Sequence, residues 1–151
     1  MNKILLTVLS VILLAVAGCD SEESELKGKT LGLSLHNPTV SKEEAENAEI
    51  KFTSNTPVLD FESANDVTLT LNGNTYSGEY SLEENNLSIT VEDGDASMTI
   101  DFTEFEESED EYFSYSGTVS EGELNEGDET TQLTNVYKNF GLGEYYLFLE
   151  E

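Results

Sequence analysis

A run of oxygen-bearing side chains between positions 93 and 104 is the first candidate for chemistry in this chain. The run places residues at positions one, three, five, seven, nine and twelve of a calcium-loop frame: Asp93, Asp95, Ser97, Thr99, Asp101 and Glu104. Oxygen ligands at this spacing suit Ca²⁺. The frame fails at position six, where Met98 replaces the glycine that allows the sharp turn. The pattern therefore disfavours an EF-hand and leaves a looser calcium site as a hypothesis. Its candidate ligands are Asp93, Asp95, Glu104 and Asp110.

Few other residues could carry catalysis. His36 is the only histidine and Cys19 the only cysteine, so a zinc site lacks ligands. A Ser-His-Asp arrangement would have to use His36, and the glycine pattern of a nucleophile elbow is missing. The chain also has no tryptophan to stack on sugars. We therefore expect a non-enzymatic protein without a cofactor, the calcium hypothesis apart.

The segment that leads to Cys19 predicts an export signal. A short basic start is followed by an apolar run over positions 4–16 and by the small residues Ala17 and Gly18. That layout is typical of a signal peptide and is too short to span a bilayer. The ending Val16-Ala17-Gly18-Cys19 resembles the lipobox of bacterial lipoproteins, in which the cysteine is lipidated and becomes the mature N-terminus. The alternative is an ordinary signal peptide that contains a cysteine by chance.

The lipobox resemblance implies a location and a domain plan. Residues 1–18 would be the signal peptide, 19–27 an acidic disordered tether, and 28–151 a single β domain. Acidic residues directly after the cysteine also resemble a signal that sends some Gram-negative lipoproteins to the cell surface, whereas in other envelopes an Asp at that place retains the lipoprotein at the inner membrane. We expect the bacterial cell envelope, at the outer membrane or the cell surface.

The charge balance limits the partners. The chain has 32 acidic residues, six lysines and no arginine, for a net charge of −26. Such a surface repels the phosphates of nucleic acids and anionic lipid headgroups. We therefore expect no nucleic-acid partner, membrane attachment through the acyl chains of Cys19 alone, and either a small molecule or an envelope protein as the further partner.

Apolar residues alternate with polar ones along most of the chain. This alternation is found in six segments: 31–35, 67–71, 76–82, 87–91, 96–102 and 113–119. Period two predicts half-buried strands, and Asn72-Gly73 is a preferred type I′ hairpin turn. Further strands are predicted over 49–53, 57–61, 132–137 and 144–149, and the last is apolar on both faces, as a barrel-closing strand would be. A capping box at Ser41 predicts one short helix near 41–48, and the acidic stretches 104–111 and 120–129 are predicted to be exposed hairpin tips.

These elements predict an all-β fold, an antiparallel up-and-down meander of eight to ten strands. The meander favours a barrel because closure removes the edge strands, and a β-sandwich is the alternative. The chain resembles the small lipocalin-like lipoproteins of bacteria. The resemblance lies in Leu26-Lys27-Gly28-Lys29 before the first strand, in the strand, turn and Gly-x-Tyr strand of 67–80, and in Leu87-Ser88-Ile89. It implies a barrel that binds a small ligand in its mouth or acts as an accessory surface component. One rival function is a structural or adhesion-type β-sandwich that contacts another protein, calcium-stabilised or not. A calcium-dependent hydrolase is the other rival.

Two glycines on the apolar phase raise the question of a cavity. Gly78 and Gly117 replace bulky residues there, so they either open space inside a barrel or permit a bend. If they open space, the cavity would be lined by Tyr76, Tyr80, Met98 and Tyr115. The alternative is that these side chains fill the core, because the interior of an eight-stranded barrel can be just wide enough for side chains to fill.

Overall fold

The structure is a computed structural model, which describes residues 24–34, 52–109, 113–127 and 131–149. In these residues the chain forms eight strands and one helix: β1 (Thr30–Ser34), β2 (Val58–Phe61), β3 (Asp66–Leu71), β4 (Asn74–Glu83), β5 (Asn86–Asp93), β6 (Ala96–Glu107), β7 (Tyr115–Asn125), α1 (Leu133–Asn139) and β8 (Gly143–Leu149).

The strands form a closed antiparallel barrel in sequential order. Each strand pairs with its neighbours in the chain, and β8 closes the barrel against β1 through the register of Leu33 with Leu147. The predicted all-β meander and its barrel closure are therefore confirmed, including the closing role of the strand over 144–149. The β-sandwich alternative is wrong.

The alternation of burial along the strands explains the closure. In β3, β5 and β6, buried residues alternate with partly exposed ones over three or four repeats. Side chains of successive strand residues point to opposite faces, so one apolar set enters the barrel and the polar set faces water. The interior set includes Leu69, Ile89, Met98, Ile100 and Phe102, each at most 2% exposed.

The two ends of the barrel differ in their covering elements. The upper end carries the turns at Asn72-Gly73 and at Gly94, together with α1. The lower end carries the turn over residues 24–28 and the connections that follow β2, β4 and β6. At the upper end Asn72 and Gly73 have φ of 54° and 78°. Positive φ at both central residues is the type I′ signature, so the predicted hairpin is confirmed.

The prediction of a strand over 132–137 is wrong, because these residues belong to α1. Leu133 and Val136 are 0% and 3% exposed, and Tyr137 is half-buried. Positions i, i+3 and i+4 lie on one face of a helix, so this spacing buries three apolar side chains together against the barrel. The positive charge of Lys138, in the last turn, interacts favourably with the negative end of the helix dipole.

The acidic stretches 104–111 and 120–129, both predicted to be exposed hairpin tips, lie partly in strands. The prediction is wrong over the residues that form those strands. β6 runs to Glu107 and β7 to Asn125. Their pairing shifts register twice, and Glu104, with φ of 53°, lies within the second shift. Such bulges add a residue to one strand and change which side chains face outward. Acidic residues therefore lie on the water-facing side of paired strands, while Phe105 remains 2% exposed.

The described part of the predicted tether is ordered. Residues 25–28 form a turn in which the Lys27 amide donates to Ser24 O at 3.0 Å, and Leu26 is completely buried. The prediction of a disordered tether is therefore wrong over 24–27, because Leu26 belongs to the core. Several other predictions lie outside the described residues: the signal over 1–18, Cys19, His36, the helix near 41–48, positions 49–51 and Asp110. Residues 52–53, at the end of the strand predicted over 49–53, are not in a strand. Within the part of the chain that the structure describes, no helix has the length and apolar character needed to cross a membrane.

Candidate functional site

The residues predicted to line a ligand cavity are divided between the two ends of the barrel. Tyr76 and Met98 lie near the starts of β4 and β6, at the upper end. Tyr115 begins β7 at the lower end, and Tyr80 reaches the lower end through its hydroxyl. All four side chains are buried, with at most 4% exposed. The structure therefore does not bring the predicted set together around one cavity.

The two lower tyrosines have partners for their hydroxyls. Tyr80 donates to Ser63 O at 2.9 Å, and its ring meets that of Phe61 edge-on at a centroid distance of 4.7 Å. The Tyr115 hydroxyl accepts a hydrogen bond from Lys29 Nζ. Its ring stacks on that of Phe105 at 5.3 Å. Aromatic packing and satisfied hydroxyls make the lower end a structural closure.

The two glycines on the apolar phase mark close contacts. A Cβ at Gly78 would lie 1.9 Å from Thr90 O, so the backbones of β4 and β5 approach there too closely for a side chain. A Cβ at Gly117 would lie 3.1 Å from Phe105 Cδ2 and 3.4 Å from Phe102 Cδ1. Aromatic rings thus occupy the space beside Gly117. At both positions the geometry fits the alternative interpretation, in which the glycines permit a bend or a close approach and side chains fill the core.

Tyr76 differs from the other buried tyrosines. It is 4% exposed, and among the described residues its hydroxyl is the one buried side-chain polar atom without a hydrogen-bond partner. The β4–β5 ladder begins with the pair Gly78 and Val91, and Tyr76 and Asp93 lie two residues beyond it on their strands. Tyr76 therefore lies toward the upper end of the barrel, beyond the end of the β4–β5 ladder, and pairs on its other side with Leu69 of β3.

Asp93 provides the charge at this end. It continues the alternation of the buried residues Leu87, Ile89 and Val91 and pairs with the buried Ala96, so it lies on the interior phase of β5. Burial raises the pKa of the Tyr76 phenol, and the Asp93 carboxylate raises it further. A negative charge near the hydroxyl disfavours the phenolate, so the phenol stays protonated at neutral pH.

The pair of Tyr76 and Asp93 offers complementary groups to a ligand. The phenol is a donor and an acceptor, and the carboxylate is an acceptor that carries charge. Ala96, which pairs with Asp93, and Met98 on the same strand are 2% and 0% exposed and belong to the core below this pair. An anionic acceptor with an aromatic ring suits a small organic cation. Hereafter this set of four residues is called the Tyr76 site.

The candidate calcium ligands are spread along the barrel. Asp93 and Asp95 lie at the upper end, whereas Glu104 lies in the lower part of β6. At about 3.3 Å per residue, the extended strand separates Asp95 from Glu104 by roughly 25–30 Å. The described residues contain no group of three His, Cys, Asp or Glu side chains able to hold a metal ion. Asp110, the fourth candidate, lies outside them.

Sequence reasoning named both Tyr76 and Asp93 but gave them separate roles. The sequence predicts Tyr76 as a cavity residue together with Tyr80, and Asp93 as a candidate calcium ligand. The parity of β5 places Asp93 on the same phase as Leu87 and Val91, whereas its position relative to Tyr76 depends on the register of β4 with β5. A carboxylate on the apolar phase at a strand end indicates a barrel mouth.

Comparison of the chain with protein-family models, with curated proteins and with solved structures found no match. The functional assignment therefore depends on the residues and their geometry.

Proposed function

We propose that this chain is a lipid-anchored lipoprotein of the bacterial cell envelope whose barrel binds a small cationic ligand at the Tyr76 site, without catalysis. The unpartnered, buried hydroxyl of Tyr76 beside Asp93 is the observation that carries the proposal. A small amine would donate to both oxygens.

The energetics of the Tyr76 hydroxyl support a ligand at this position. Leaving a buried polar group without a partner costs about 1–3 kcal/mol. The other buried tyrosines, Tyr80, Tyr115 and Tyr145, all have hydrogen-bonded hydroxyls. A ligand that bonds to the Tyr76 hydroxyl would recover this cost. A polar ligand therefore gains more binding free energy at this hydroxyl than at one that already has a hydrogen bond.

The place of the anchor supports the same assignment. Ser24 belongs to the turn at the lower end, and five residue steps separate it from Cys19. A fully extended chain spans about 3.5 Å per residue, so a lipidated Cys19 holds the lower end within roughly 18 Å of the bilayer. The upper end, with the Tyr76 site, is then the end of the barrel remote from the anchor.

Calorimetric titration tests the ligand proposal. The full chain in detergent micelles is titrated with benzylammonium, and with neutral benzyl alcohol for comparison. We expect heat of binding for the cation only, and its loss in Asp93→Asn and Tyr76→Phe. Tyr80→Phe is the matched control, because it removes a hydroxyl from the same strand that already has a partner. Equal heats for the two ligands, or loss of binding in the control alone, would contradict the proposal.

Labelling of cells with a radioactive fatty acid tests the anchor separately. The wild-type chain should incorporate the label and enter the detergent phase on phase separation, whereas Cys19→Ser should do neither. A labelled Cys19→Ser protein, or an unlabelled wild-type protein that remains in the aqueous phase, would refute the lipid anchor while leaving the Tyr76 site to be tested on its own.

A further inference from the structure

The strands β7 and β8 have unequal lengths, and part of β7 therefore lacks a partner on one side. Their pairing ends at Val119 with Gly143, whereas β7 continues to Asn125. On its other side β7 pairs with β6 as far as Asn125. Residues 120–125, the upper segment of β7, thus have a strand neighbour on only one side among the described residues.

The helix α1 lies beside the upper segment of β7 and leaves a groove next to it. The hydroxyl of Tyr137 donates to Gly122 O at 2.9 Å, and a Cβ at Gly122 would lie 3.1 Å from the Tyr137 ring. Between this segment, the end of α1 and the start of β8 runs an open groove of about 460 Å³. A second depression of about 540 Å³ shares Gly122, Glu123 and Tyr137 with it, so the concave surface continues along the segment.

The groove combines apolar residues with an acidic rim. Phe140 and Leu142 line it, and Leu142 is 74% exposed, the most exposed large hydrophobic residue among those described. Glu121 and Glu123 are both exposed, and as residues i and i+2 of a strand they lie on one face. Lys138 is the one basic residue that lines the groove.

We propose that this edge groove, formed by residues 120–125, Phe140 and Leu142, binds an extended peptide segment of another protein with alternating apolar and basic side chains. The segment adds to β7 as a strand, which pairs with backbone groups of residues 120–125 that have no strand partner among the described residues, apart from Gly122 O, which accepts from Tyr137. Its apolar side chains cover Leu142 and Phe140, and its basic side chains face Glu121 and Glu123. This site is independent of the Tyr76 site.

Charge decides between this partner and a second copy of the chain. A net charge of −26 repels an identical molecule at any edge-to-edge contact. The same field attracts a basic segment and accelerates its association, and like charges facing Glu121 and Glu123 would oppose an acidic one. A basic, extended peptide therefore complements the strand edge of the described residues 120–125, the exposed apolar residues and the acidic rim together.

Fluorescence anisotropy with a labelled synthetic peptide tests the proposal. The probe is a peptide of alternating lysine and valine, as long as residues 120–125, added to the full chain in detergent. We expect saturable binding that weakens about tenfold or more when the probe is N-methylated on alternate backbone nitrogens, because a strand cannot then pair along its edge. A probe with glutamate in place of lysine should not bind.

Variants of the chain locate the binding. Glu121→Lys combined with Glu123→Lys should weaken binding by about tenfold, whereas Glu79→Lys, an exposed site on β4, should leave it within about twofold. Leu142→Ser should weaken binding more than Leu149→Ser, which changes the other exposed leucine at the far end of β8. All five substituted positions are exposed, so circular dichroism should confirm an unchanged fold.

Three results would overturn the proposal. Equal binding of the N-methylated probe would show that no strand is added. Equal weakening by Glu79→Lys would show that the probe responds to net charge alone. A dimer in analytical ultracentrifugation that Leu142→Ser dissociates would assign the groove to a second copy of the chain.

Discussion

Replacing Tyr76 with phenylalanine should stabilise the protein. The substitution removes only an oxygen atom that is buried and has no hydrogen-bond partner among the described residues. The ring, with the residue 4% exposed, keeps its apolar contacts. An unsatisfied buried hydroxyl costs about 1–3 kcal/mol, and the small gap left by the oxygen offsets part of that gain. We expect a net increase of about 1 kcal/mol in the free energy of unfolding, or roughly 3 °C in Tm.

Tyr80→Phe provides a control of opposite sign. The same atom is removed from the same strand, but here the hydroxyl donates to Ser63 O at 2.9 Å. Loss of a satisfied hydrogen bond costs about 0.5–1.5 kcal/mol. The two variants should therefore differ by about 2 kcal/mol, with Tyr76→Phe above the wild type and Tyr80→Phe below it.

Urea denaturation followed by circular dichroism measures both variants. The midpoints should move in opposite directions with unchanged slopes, because neither change alters the surface exposed on unfolding. If Tyr76→Phe is destabilised to the same extent as Tyr80→Phe, the Tyr76 hydroxyl is already satisfied and the reasoning fails. Together with lost benzylammonium binding, a stabilised Tyr76→Phe would mark a residue kept for function at a cost in stability.

Further predictions concern pH, the interior and the helix. Burial is the largest cause of the raised pKa values of Tyr76 and Tyr145, so the unfolded chain, with tyrosine pKa values of about 10, loses these protons before the folded one. The stability that these two tyrosines contribute should be constant below about pH 9 and be lost as the pH rises through 10 and above; thermal melts over that alkaline range should show a shallower fall in Tyr145→Phe. Gly117→Leu should destabilise by about 1–3 kcal/mol in urea, because its Cβ already meets a phenyl ring; no loss would indicate free space there. Leu133→Ala, at a completely buried position of α1, should cost about 2–5 kcal/mol, whereas Leu142→Ala should change stability by less than about 0.5 kcal/mol.

The strands of the central meander were predictable because their patterns are long and regular. β5 and β6 alternate over several repeats, and the Asn72-Gly73 turn requires positive φ at both residues. Period two with a hairpin dipeptide is a local signal, and tertiary contacts reinforce it. The prediction of a barrel followed from the same regularity, because a sequential meander closes on itself without leaving edges.

The failures occurred where a short pattern fits two structures. The six residues over 132–137 place Leu133 and Val136 three apart, which allows either a strand with one mismatch or a helical face. Burial of both against the barrel selects the helix. At Glu104 and Glu107 the acidic composition indicated a loop, but pairing with β7 continues the strand and turns these carboxylates toward water.

The sequence by itself determined the all-β class, the phase of the long strands and the main hairpin turn, because each depends on neighbours within a few residues. It also supports the expectation of a lipid anchor at Cys19, through a local motif. Only the tertiary structure decided which buried tyrosine hydroxyl lacks a hydrogen-bond partner among the described residues and that Asp93 stands beside Tyr76. It also decided that β7 extends beyond the end of its pairing with β8. Those facts depend on register and closure, which join residues far apart in the chain, and no local period specifies them.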